Sequence, residues 1–190
     1  MRQIITVLAA LIPIAGAIPY LINTVKDKTR PNIVTWFTWT LINGINTAAA
    51  FSDGAWQTAI YTGAGTIATG AIVAVGVKHG FKKYTPFDIA CQIVALLGIP
   101  LWLLTGQPEL AVLILLVVDF AGGLPTLRHA FKAPREETWQ TFGASALGGA
   151  LILVSLERFD VVALTMPLYI FLFDLTVLLT IFWRRRKVKT

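Results

Sequence analysis

Residues 14–39 read IAGAIPYLINTVKDKTRPNIVTWFTW, and residues 120–142 read FAGGLPTLRHAFKAPREETWQTF. Set against each other on Pro19 and Pro125, both run small-Gly-x-x-Pro-x-Leu, a basic loop, and then Thr-Trp-x-Thr-aromatic. The last element is Thr35-Trp36-Phe37-Thr38-Trp39 in the first copy and Thr138-Trp139-Gln140-Thr141-Phe142 in the second, whose loop is three residues shorter. Both copies lie in apolar surroundings, so the chain repeats itself inside a membrane. Duplicated membrane halves enclose a solute site where two similar bundles can rock about a shared centre.

The composition agrees with a membrane setting. Of 190 residues 56% are hydrophobic and only 14% charged, which excludes an ordinary water-soluble domain. A span takes about 20 mostly apolar residues. Seven such stretches are predicted, at 4–25, 33–52, 55–77, 87–106, 110–130, 138–156 and 161–183, joined by short turns such as Ser52-Asp53-Gly54 and Gly106-Gln107-Pro108. Residues 1–17, with Arg2, an apolar run and Ala15-Gly16-Ala17, also have the outline of a secretory signal. Cleavage there would remove the first copy of the repeat, so the segment is read as a span.

The formal net charge of +6 is not scattered. With the loops assigned alternately, Lys26, Lys28, Arg30, Lys78, Lys82, Lys83, Arg128, Lys132, Arg135 and the tail Arg184, Arg185, Arg186, Lys187 and Lys189 fall on one side, against Arg2 and Arg158 on the other. This segregation predicts an outside amino terminus and a cytoplasmic carboxyl terminus. The basic tail reads as a topological anchor meeting anionic lipid, rather than as a nucleic-acid contact. The single Cys91 allows no intramolecular disulfide.

The copies fall in spans one to two and five to six, so each half is a three-helix unit. Three is an odd number, and an added single span lets both units insert with the same orientation. The expected architecture is an all-α membrane protein of seven helices in a 3+1+3 parallel repeat: a first bundle at 1–80, a linker helix at 81–107, and a second bundle with the basic tail at 108–190. Pro19 and Pro125 are expected to act as matched hinges or gates, each freeing a backbone carbonyl within its helix. The small residues of 61–70 and 143–150 suit close helix approach.

An ionisable group at bilayer depth costs roughly 2.5–3.5 kcal/mol on insertion scales and is a functional candidate by default. Asp119 and Asp174 both fall near mid-span, and no Lys or Arg lies at that depth to pair with them. A carboxyl so placed can take a proton on one side and release it on the other. Asn43 and Asn46 add paired amides at similar depth, able to read the polar groups of a small solute or to join helices. Trp36, Trp39 and Trp139 start spans two and six beside the basic loops and are read as interface anchors, with closure of the cytoplasmic mouth as the alternative. Trp56 and Trp183 are anchors as well. Tyr169, Phe173 and Trp102 are left open as cavity-lining residues.

These residues resemble the PQ-loop superfamily, which includes the SWEET and SemiSWEET sugar transporters, the cystinosin-like exporters and the KDEL receptors. The likeness covers nearly the whole chain: three-one-three spans and, in each half, a helix-ending proline followed by a basic loop. Asp119-Phe120-Ala121-Gly122-Gly123 resembles the Asp-Phe-x-Gly-Gly of the cystinosin-like branch, and Phe173-Asp174 an acid-bearing stretch of its last span. The resemblance implies proton coupling at those acids. The family's glutamine after the proline is Tyr20 in one copy and Thr126 in the other, and the span-two and span-six prolines of sugar-transporting members are absent.

The expectation is therefore a secondary transporter or facilitator of a small polar solute, such as a sugar or amino acid, in a bacterial cytoplasmic membrane. It would alternate access around Asn43, Asn46, Asp119 and Asp174, with protons coupled through the two acids. The alternative is a non-transporting receptor or regulatory protein of KDEL-receptor-like fold. Enzymatic function is not expected: His79 and His129 lack metal-ligand spacing, and there is no nucleophile motif or phosphate loop. No cofactor, metal or nucleic-acid partner is expected.

Overall fold

The computed structural model describes residues 1–80, 85–87, 89, 90, 93, 104 and 108–187, and the regular structure there is helical throughout. Its helices are α1 (Arg2–Val25), α2 (Ile33–Ser52), α3 (Trp56–His79), α4 (Pro108–Lys132), α5 (Trp139–Ser155) and α6 (Val161–Lys187). They follow the predicted spans to within a few residues. The expected linker helix at 87–106, Trp102 and Cys91 lie outside the described residues or among the few isolated positions between α3 and α4. The fourth of the seven predicted spans therefore lies outside the described residues.

Local chemistry sets the helix ends. Asn32 caps α2 by accepting from the Thr35 N–H at 3.4 Å. Asp160 caps α6 by accepting from the Ala163 N–H at 3.0 Å, a bond that holds its carboxyl below the usual carboxylate range. The tight α2–α3 turn passes through Gly54 at φ +75°, a conformation glycine adopts without a Cβ penalty.

Four of these helices are long and apolar enough to cross a membrane: α1, α3, α6 and the Val112–Lys132 part of α4. The chain is a membrane-embedded protein, and its surface is built accordingly. Ile4, Leu8, Leu11, Ile18, Ile67, Val117, Leu147, Val154, Leu172 and Leu179 point outward. The interior instead holds Thr35, Thr38, Asn43, Asn46, Thr62, Asp119, Thr141 and Asp174. In lipid, apolar side chains gain nothing by burial, so packing and interhelical hydrogen bonds hold the helices together.

Helix α2 shows the consequence. Its threonines and asparagines make it less apolar than its neighbours, and they are directed at α3: Thr47 meets Thr62 at 3.0 Å and Thr40 meets Thr69 at 3.0 Å. Thr47 and Thr40 donate across the seam, and Thr62 and Thr69 pass their own protons to the Thr58 and Gly65 carbonyls four residues earlier on α3.

The helices form a ring. Helix α3 packs between α1 and α2, and α6 packs between α4 and α5. The ring closes where α1 meets α5 and where α2 meets α4. Among the described residues α1 does not pack on α2, nor α4 on α5. The α1–α5 seam is very close: a Cβ on Gly16 would overlap the Ala144 side chain, and the Thr141 hydroxyl donates to the Gly16 carbonyl at 2.8 Å.

One end of the ring gathers the basic side chains. The loop after α1, the end of α3, residues 129–138 and the end of α6 meet there. His79 Nδ1 lies 3.3 Å from Asp27, Arg185 donates to the Pro134 and Glu137 carbonyls, and Arg184 donates to the Phe131 carbonyl. The opposite end holds Arg158, paired with Asp160 at 2.7 Å and Asp53 at 3.0 Å.

Candidate functional site

A cavity of about 70 Å³ lies in the middle of the ring and is lined from all six described helices. Helix α1 contributes Pro13, α2 Trp36, Trp39 and Asn43, and α3 Tyr61, Gly65 and Thr69. Asp119 comes from α4, Thr141, Phe142 and Ser145 from α5, and Tyr169, Phe173 and Asp174 from α6. Asp119 and Asp174 are 5% and 9% exposed, and no Lys, Arg or His is among the lining residues.

Glycine spacing seats the two acid-bearing helices. Helix α4 presents Gly123 one turn after Asp119, and a Cβ there would strike the Phe173 ring at 2.5 Å. The tip of the ring therefore sits against the α4 backbone at Gly123, and Asp174, its neighbour in sequence, lines the same cavity. On the α2–α3 side, a Cβ at Gly65 would come within 2.9 Å of Asn43 Oδ1. The missing side chain makes room for that amide.

Around Asp119 the geometry is unfinished. The Trp39 indole N–H and the Tyr169 hydroxyl both lie within reach of its carboxyl. Neither closes a hydrogen bond, and both polar atoms are buried without a partner. Ser145 stands beside Asp174, and the two acids are within electrostatic reach of each other.

Of the residues expected to bind solute, the structure brings Asn43, Asp119 and Asp174 to one cavity. Asn46 is buried but not among the lining residues, and its side-chain amide donates to the Ile42 carbonyl at 3.0 Å. Pro19 and Pro125 also lie away from the cavity wall, near the basic end. Their helices continue through them, and each precedes a fully buried residue, Tyr20 or Thr126. Pro13, not singled out as a hinge, does line the cavity.

Trp36 and Trp39 correct the interface-anchor reading. They are 4% and 7% exposed and form a packed layer with Tyr20 and Phe142 between the cavity and the basic end. The Tyr20–Trp36 and Trp36–Trp39 ring pairs are edge-on at 4.9 and 5.0 Å. Trp139, Trp56 and Trp183 remain at the surface, 37%, 54% and 48% exposed.

This layer is tied to a residue the sequence did not single out. The Trp36 Nε1–H donates to the Tyr20 hydroxyl at 3.2 Å, and Tyr20 donates to Glu137 Oε2 at 3.3 Å. Glu137 belongs to the loop between α4 and α5 and is 2% exposed. Burial pushes its carboxyl up to about 8, against the opposing pull of the Tyr20 bond and the Arg185 guanidinium. Around it, the Thr138 hydroxyl meets Thr29 at 2.6 Å and accepts from Asn23 at 3.1 Å, so the loop stitches α1 to α5 beneath the cavity.

No metal-binding group of three or more His, Cys, Asp or Glu occurs among the described residues. Comparison of the chain with protein-family models, with curated proteins and with solved structures gives no match, so the site is read from its own chemistry.

Proposed function

We propose that the protein is a secondary transporter or facilitator of a small polar solute, working by alternating access between two helix triplets, α1–α3 and α4–α6. The observation that carries this reading is the cavity itself. It is buried at the junction of the triplets, is reached by both, and holds two carboxyls with no basic side chain beside them. Such groups are costly in a merely structural core and useful where an ion or solute is to be bound and released.

The packing order supports the duplication. The third helix stands between the first and second in each triplet, and the triplets meet through reciprocal seams, α1 with α5 and α2 with α4. Pro13 and Asp119, which the alignment makes equivalent, face the same cavity. In the full reading a linker span at 81–107 completes a 3+1+3 arrangement like that of the PQ-loop superfamily, with the basic end in the cytoplasm of a bacterial cell. The Tyr20–Trp36–Trp39–Phe142 layer then closes the cytoplasmic mouth, Pro19 and Pro125 give the surrounding helix ends room to bend, and Asp119 and Asp174 carry protons.

The test is flux in proteoliposomes across a panel of small polar solutes, with and without a pH gradient. At least one solute is expected to move in response to the gradient, and Asp119→Asn to uncouple that movement. An unaltered gradient response in the variant removes Asp119 from the mechanism. Absence of flux for every solute, with a co-purifying protein or peptide instead, supports the receptor alternative.

A further inference from the structure

We propose that the central cavity takes a small monovalent organic cation, and that this cation enters in exchange for a proton held by the Asp119–Asp174 pair. The binding half of this statement stands on the cavity alone; the exchange half rests on the transport reading.

The inference follows from which groups of the wall are still available. Apart from Tyr169, the neutral hydroxyls are engaged within the protein: Thr69 donates to the Gly65 carbonyl at 2.8 Å, Thr141 to the Gly16 carbonyl at 2.8 Å, Tyr61 to the Ser145 carbonyl at 3.1 Å, and the Ser145 hydroxyl stands beside Asp174. The Asn43 amide N–H donates to the Trp39 carbonyl at 2.8 Å. What remains is two carboxyls, one amide oxygen, aromatic faces, and the unpartnered Trp39 N–H and Tyr169 O–H beside Asp119.

A neutral polyol would bring many donors and acceptors to a wall that can answer few of them, losing its hydration without replacement. An anion would meet two acids and no base. A cation gains from both kinds of available group, the carboxyls directly and the ring faces through their quadrupoles. The Trp39 N–H and Tyr169 O–H are placed to hold Asp119 as a carboxylate once the cation is opposite it. The volume of about 70 Å³ restricts the guest to a few heavy atoms in this conformation.

Charge balance supplies the exchange. With both acids protonated the cavity is neutral, and a bound monovalent cation keeps it neutral only if one carboxyl releases its proton to the solution the cavity faces. No electron moves, and the only bond broken is that carboxyl's O–H. The titratable groups facing the acids are Tyr61 from α3 and Tyr169 from α6; α1, α2 and α5 present none among the described residues lining the cavity.

Guanidinium and urea test this directly, because they share shape and size and differ in charge. Binding to the purified full chain is measured by calorimetry at millimolar concentration at pH 5.5 and pH 8. Exchange is measured in proteoliposomes as proton movement driven by a guanidinium gradient, read by a pH-sensitive dye in the lumen, because one-for-one exchange carries no net charge. Guanidinium is expected to bind more tightly at pH 8 and to release protons on binding. Asp119→Asn, of unchanged shape, is expected to weaken it on the order of 30-fold, the effect of truncating a buried charge partner. Asp119→Asn is also expected to remove the pH dependence, and Asp174→Asn to retain it.

Urea or a neutral sugar binding in place of guanidinium, or guanidinium binding unchanged in both variants, overturns the proposal while leaving transport intact. Guanidinium binding without any guanidinium-driven proton movement supports the cation site and overturns the transport reading.

Discussion

Replacing Glu137 with glutamine isolates the loop carboxyl that underlies the aromatic layer. Glutamine keeps the size and can still accept from Tyr20, but it cannot ionise. In the folded protein the glutamate titrates at about 8, against an ordinary value of 4.5, because burial disfavours its charged form. The folded state therefore holds a proton that the unfolded chain has released, and stability falls as pH rises from about 4.5 to about 8. The full interval corresponds to about 5 kcal/mol, of which about 4 kcal/mol is lost between pH 5 and pH 9. Thermal unfolding in detergent reads this as a fall in the midpoint on the order of 10 °C. The expected result is a wild type that becomes less stable across that range and a Glu137→Gln variant whose profile is flatter by that amount. Parallel profiles for the two proteins would falsify the assignment, since the pH response would then belong to other groups.

Tyr20→Phe leaves both the Trp36 N–H and Glu137 without their shared partner and is expected to cost about 1–3 kcal/mol in the same unfolding measurement. Gly16→Ala overpacks the α1–α5 seam and is expected to destabilise by about 1–3 kcal/mol, with Ala144→Gly in the same chain restoring much of the loss. A single mutant as stable as wild type would contradict the close approach seen there. In a Cys91→Ser background, Lys28→Cys and Ser52→Cys are expected to react with an impermeant thiol reagent from opposite faces of the membrane; labelling of both from one face contradicts the proposed topology.

Much of the helical layout was legible because lipid imposes a strong pattern on sequence: long apolar runs, short joints and basic residues collected in alternate loops. Asp119 and Asp174 were legible for the same reason, a carboxyl being conspicuous in such a run. Asn46 was harder to place. Three residues along a helix turn the side chain about 60° short of a full circle, enough to carry Asn46 off the wall that Asn43 lines. Trp36 and Trp39 were misplaced because an aromatic residue beside a basic loop has the same local signature whether it faces headgroups or a neighbouring helix. Their burial comes from Phe142 of α5 against Trp36 and Phe173 of α6 against Trp39, far away in the chain. Glu137 was invisible: it follows Arg135 and Glu136 in a segment that reads as solvated, and only the fold sets Tyr20 against it.

The seam between Gly16 and Thr141 also has a bearing on biogenesis. The bond joining them spans 125 residues of chain. At ribosomal rates of about 5–20 residues per second, the first helix waits on the order of ten seconds before its partner has been made. During that interval its small-residue face is a ready surface for any other helix in the bilayer. Correct assembly thus becomes a race against neighbours, which slower translation would prolong.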